Sequence, residues 1–113
     1  MGGRVHLGRK LTLESLVKEA DGAGGFRANW VARGDLWAEV VARTGREASG
    51  EATALSATSY KITVRAMPYG APERPVPGER FREGERIFAI QAVAERDAKG
   101  RYLTCFANEE VVV

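Results

Sequence analysis

The sequence predicts a mostly β domain, a small antiparallel β-barrel or sandwich of five to six strands with one long loop. Three observations lead there. In Tyr60-Lys61-Ile62-Thr63-Val64-Arg65-Ala66, residues Tyr60, Ile62 and Val64 face one way and Lys61, Thr63 and Arg65 the other, the period of a half-buried strand. Apolar segments recur at short spacing between glycine- and proline-rich breaks, as in all-β folds. Asp97-Ala98-Lys99-Gly100 is a hairpin signal, with Gly100 supplying a positive φ.

Taken in chain order, the first strand runs from Lys10 to Val17, with Leu11, Leu13 and Val17 on one face. Asp21-Gly22-Ala23-Gly24-Gly25 is too rich in glycine to hold regular structure and reads as a mobile loop. Trp30 and then Leu36 to Ala42 give a second strand, whose Trp37 is expected to fill much of a small core. Residues 44–57 form a long excursion: alanine favours a helix there, but Gly50 and the lack of an apolar stripe oppose one. Long loops of this kind are often functional. After the Tyr60 strand, Met67 to Gly78 contains all 4 prolines and is a connection without ladder hydrogen bonds. Glu83-Gly84-Glu85-Arg86 turns the chain into Ile87 to Ala94, apolar on both faces and so expected to be covered on both. Arg101 to Asn108 pairs back across the Asp97 turn. There is no internal repeat or linker, so residues 1–113 are read as one domain, with 1–8 expected to be flexible.

At 113 residues the chain can bury a modest core without disulfides or a metal. Its single cysteine, Cys105, has no intrachain partner, and no Cys/His cluster has metal-ligand spacing. That fits synthesis in a reducing cytoplasm. No apolar run reaches the length of a membrane span, and Met1-Gly2-Gly3-Arg4-Val5-His6 lacks a signal-peptide core. With 17 basic and 15 acidic residues the formal charge is +2, so any basic surface is local rather than broad.

Catalysis needs a convergent set of groups, and none is present. The lone histidine, His6, sits in a glycine-flanked terminus, poorly held for a general base. Cys105 lies on an expected strand and reads as a core thiol. The glycines at 22, 24 and 25 lead into Phe26-Arg27-Ala28-Asn29-Trp30 rather than into a helix start, so they do not make a phosphate loop. Glu83/Glu85 and Glu109/Glu110 read as solvated turn and tail. No catalytic, cofactor-binding or metal-binding residue is therefore expected. Two segments stand out instead. Arg43 and Arg46, with Glu47 and Glu51, are candidates for a loop facing a negatively charged surface or channel. Val111-Val112-Val113 is a β-prone apolar tail, a candidate contact with a neighbouring subunit.

The ordered series Gly24-Gly25 through Trp30, Leu36-Trp37-Ala38-Glu39-Val40, Gly45-Arg46-Glu47, Tyr60 to Arg65, Arg80-Phe81, Ile87 to Val93, Asp97 to Gly100 and Tyr102-Leu103-Thr104-Cys105 resembles the phage head–tail joining proteins. These are also called head closure, stopper or head–tail adaptor proteins, of long-tailed phages and gene transfer agents. The resemblance runs from about Leu7 to Glu109 and departs in the longer proline-rich segment from Pro68 to Pro77. It implies a β-barrel subunit at the virion neck, assembled in the bacterial cytoplasm. There it forms a ring with copies of itself, which closes the portal channel after packaging and joins head to tail. It implies portal or adaptor proteins above, tail-terminator or tail proteins below, and packaged DNA met without sequence specificity. No enzyme activity, cofactor or membrane is implied. Ring formation would also engage exposed β edges. Two other readings are a tail-terminator or tail-completion subunit and a free-standing nucleic-acid-binding barrel. The latter needs aromatics among basic residues on one face, and Lys61 and Arg65 share a face with Thr63, not with an aromatic.

Overall fold

The computed structural model describes residues 4–43 and 58–110, and every regular element there is a strand. β1 (Arg9–Ala20), β2 (Phe26–Ala42), β3 (Thr58–Arg65), β4 (Arg80–Glu83), β5 (Arg86–Glu95) and β6 (Tyr102–Glu109) close into a barrel in the order β1-β2-β3-β6-β5-β4. All the pairings are antiparallel. The last seam is the short ladder Thr12–Arg82, Leu13–Phe81 and Glu14–Arg80. Closure pairs each strand on both sides over at least part of its length.

Alternation sends one side chain in two inward. Leu11 and Leu13, Ile62 and Val64, and Leu103 and Cys105 are buried together. Phe81 and Phe88 face each other across β4 and β5, both fully buried. Tyr60 meets the Phe88 ring edge-on, at 5.3 Å between centroids and 88° between planes. Burying a phenylalanine contributes roughly 1.5–3 kcal/mol, so this pair weighs heavily in a small core.

Trp37 is not part of that core. Leu36 and Ala38 take the inward positions of β2, which turns Trp37 outward and leaves it 56% exposed. Phase along the strand, not side-chain size, decides. β5 is likewise covered on one face only: Phe88 and Ile90 are buried, whereas Gln91, Ala92 and Ala94 are exposed. Gln91 is the extra residue of a bulge, since Ile90 pairs with Ala107 and Ala92 with Phe106.

β1 and β2 outrun their neighbours. β4 reaches β1 only as far as Glu14, and β3 reaches β2 only from Ala38 onward. Beyond them, Ser15–Ala20 and Phe26–Val31 pair only with each other and leave the barrel as a two-stranded arm. The molecule measures 55 × 35 × 23 Å. The expected mobile loop is the closed tip of this arm. Asp21 Oδ1 accepts hydrogen bonds from the Ala23 N–H at 2.8 Å and the Gly25 N–H at 3.0 Å, and the Asp21 N–H donates to Gly25 O. Gly22 and Gly24 supply the positive φ values, 83° and 89°. Those donors hold the Asp21 carboxyl below its usual range. One end of the barrel thus carries the arm, the proline-rich connection and the Asp97 turn. The other carries residues 4–8 and the Glu83–Arg86 turn.

Candidate assembly surfaces

At the root of the arm a bulge lets the ribbon bend. Leu13 pairs with Gly34 and Glu14 with Ala32, leaving Arg33 as the extra residue. Gly34 has φ 149°, and a Cβ there would stand 3.1 Å from Glu73 Cγ, so this position requires glycine. The Arg33 Nε–H donates to Ser15 Oγ at 3.0 Å, and the Ser15 hydroxyl donates to Glu79. On the other face of the ribbon Glu14, 5% exposed, accepts from Arg80 Nε at 2.7 Å and lies 3.3 Å from Arg82 Nε. The Arg80 guanidinium also lies over the Trp30 ring, 4.0 Å from its centroid. Both faces of the arm are therefore tied to β4 and the segment before it.

Beside this root the proline-rich connection folds over the end of the barrel. Pro75 is fully buried, and successive turns are closed by Ala71 N–H to Pro68 O and Arg74 N–H to Ala71 O. Arg74 lies 3.8 Å from the Tyr69 ring centroid and donates to Met67 O at 2.6 Å. Between this connection and the arm lies a cleft of about 550 Å³, with Ser15, Arg33 and Glu79 on the arm side and Tyr69, Pro72 and Val76 opposite. As expected, the segment contains no strand.

The outer face of β3 and β6 differs from the sequence reading. Lys61 sits directly opposite Phe106 and Arg65 opposite Tyr102. Arg65 lies 5.7 Å from the Tyr102 ring centroid, and Arg43 lies 5.2 Å from that of Phe106. The aromatics missing along β3 are supplied by its neighbour, a cross-strand relation that a single strand cannot display. At the other end of the barrel, Arg86 donates twice to Glu109, from Nε at 2.8 Å and Nη2 at 3.1 Å. Arg9 Nε–H donates to Glu83 at 3.1 Å. These hydrogen bonds hold the Glu109 and Glu83 carboxyls below their usual range.

Of the residues singled out in the sequence, Arg43 closes the end of β2, its N–H donating to Ser59 O at 2.9 Å. Arg46, Glu47, Glu51, Val111, Val112 and Val113 lie outside the described residues. The His6 N–H donates to Glu39. Cys105 is fully buried, and burial pushes its thiol up to about 12. Among the described residues no group of three or more His, Cys, Asp or Glu could hold a metal ion. The arm was missed from sequence, although Leu16, Lys18, Ala20 and Phe26, Ala28, Trp30 alternate on either side of Asp21-Gly22, the pattern of a hairpin.

The sequence profile of the phage head completion proteins matches residues 4–110. The chain belongs to this family. A chain of the virion of a native gene transfer agent (GTA) particle is 56% identical to this head completion protein, with a TM-score of 0.80 over 97% of this chain and 100% of that one. Protein SF1141 from Shigella flexneri 2a, solved in solution, is 22% identical, with a TM-score of 0.69 over 95% and 94% of the two chains. The latter likeness concerns the fold alone. No curated protein matches this head completion protein.

Proposed function

We propose that the chain is a structural neck protein of a tailed phage or phage-like particle, forming a ring that closes the head portal channel after DNA packaging and joins head to tail. One observation carries this reading: a chain 56% identical over its full length is part of a gene transfer agent virion. The geometry supports it. The six strands close into a barrel, while the arm and the cleft offer surfaces for partners rather than for chemistry. Portal or adaptor proteins would lie on one side of the ring and tail proteins on the other. The face bearing Lys61, Arg65, Tyr102 and Phe106 suits contact with packaged DNA, through backbone phosphates and without sequence specificity. Arg43 stands on the same face, at Phe106.

Electron microscopy of particles from cells lacking this gene tests the role. Full-size heads accumulating beside unattached tails are expected, and DNA released from those heads would point to closure in particular. Normal tailed particles in normal numbers would contradict the proposal. Tails of aberrant length would instead favour a tail-terminator role.

A further inference from the structure

The 8 exposed large hydrophobic side chains of the described residues divide between two surfaces. Leu16, Phe26 and Trp30 form a stripe along the arm, since Leu16 pairs with Trp30 and Ala20 with Phe26. The same outer face of β2 continues through Trp37, opposite Lys10, to Val41. The other three are Tyr69 and Val76, which line the cleft, and Val31, which pairs with the cleft residue Ser15. Residues 15 and 16 point to opposite sides of a strand. The stripe and the cleft therefore occupy opposite faces of one ribbon.

We propose that copies of this chain join head to tail, the aromatic stripe on the arm of one copy seated in the proline-lined cleft of the next. This deepens the neck reading by naming the contact that builds the ring, and rests on that reading for its setting. A two-fold contact needs a patch that fits itself. Here one surface projects and the other is concave, and they face opposite ways, the arrangement that repeats around a ring. The exposed aromatic side chains lie on a face of the ribbon rather than along its edges, so this contact is made by side chains. Phe26, 75% exposed, is the projecting group at the tip. Aromatic side chains bury about 150–250 Å² each; with Phe26, Trp30 and Trp37 75%, 37% and 56% exposed, what they have left to cover is about a third to a half of the roughly 800 Å² per partner in a stable interface. Glu14, Arg80 and Arg82 on one face and Arg33, Ser15 and Glu79 on the other hold the arm at its root. Little ordering is then left to binding.

The test is disulfide trapping of the Phe26→Cys/Val76→Cys double variant in cells producing particles. Both sites are exposed, and Cys105 is buried and does not compete. After mild oxidation with copper-phenanthroline, the double variant should run on a non-reducing denaturing gel as a ladder of multimers. Each single variant should remain a monomer. A single variant that cross-links to a dimer would overturn the proposal, because like would then be meeting like. A double variant that enters tailed particles yet forms no ladder would overturn it too, while leaving the neck role standing. A ladder from a chain that never enters tailed particles would support the contact and sink the neck role.

Discussion

Removing the Glu14 carboxylate should unfold this protein more readily than its position on the outer face suggests. The Glu14 side chain is 7% exposed and that of Arg80 16%, so Glu14→Ala strands a largely buried guanidinium with only the Trp30 ring beside it. Breaking a buried ion pair by removing one partner costs about 3–5 kcal/mol. Arg80 keeps some access to water, and Arg82, half exposed at 50%, adds no more than about 0.5 kcal/mol, so the low end, about 3 kcal/mol, applies. In a domain near this size each kcal/mol shifts Tm by at least about 4 °C, giving a fall of roughly 12 °C. Replacing both partners, Glu14→Met with Arg80→Met, leaves no orphaned charge and should return stability to within about 1 kcal/mol of the parent. Urea unfolding followed by circular dichroism of the isolated parent, Glu14→Met, Arg80→Met and the double variant measures the coupling. A loss below about 1 kcal/mol for Glu14→Ala, or a double variant as unstable as the two singles added, would refute the argument that this pair anchors the arm.

Three further outcomes follow from the core and the charged end of the barrel. Phe81→Ala removes a fully buried ring facing Phe88 and should lower unfolding stability by about 3–5 kcal/mol; a loss under about 1 kcal/mol would mean that β4 does not seal the barrel. Glu109 is held below its ordinary carboxyl value of 4.5 by Arg86. Its stabilisation is therefore complete above that pH and lost as the pH falls through the lowered value. Tm should drop more between about pH 5 and pH 3 in the parent than in Glu109→Gln, and parallel curves would contradict the pairing. Cys105, fully buried with its thiol pushed up to about 12, should resist a thiol reagent in the folded chain and react once the chain is unfolded in urea; rapid labelling of the native protein would show the barrel to be open there.

What the sequence disclosed was whatever is written along one strand. The alternation of Tyr60, Ile62 and Val64, the inward pair Leu11 and Leu13, and the turn at Asp97 to Gly100 all reappear in place. What it concealed depends on neighbours. Trp37 was expected inside because of its size, yet Leu36 and Ala38 take the inward phase. β4 is four residues with three charges, Arg80-Phe81-Arg82-Glu83, and only its pairing with β1 and β5 shows that Phe81 closes the core. The aromatic partners of Lys61 and Arg65 stand on β6, far along the chain. The arm went unread because the glycines around Ala23 suggested disorder, whereas Asp21 gathers their N–H groups into a closed tip. Apolar residues on a ribbon outside the barrel look, in sequence, the same as core residues. Their exposure is a property of the fold, and it carries the proposed contact between copies.

The most direct test of the central claim is to locate the chain in the particle. Gold-labelled antibody raised against this protein, applied to purified particles and viewed by electron microscopy, should decorate the junction between head and tail, one cluster per particle. Label spread over the head shell, label along the tail, or intact tailed particles without label would contradict the account.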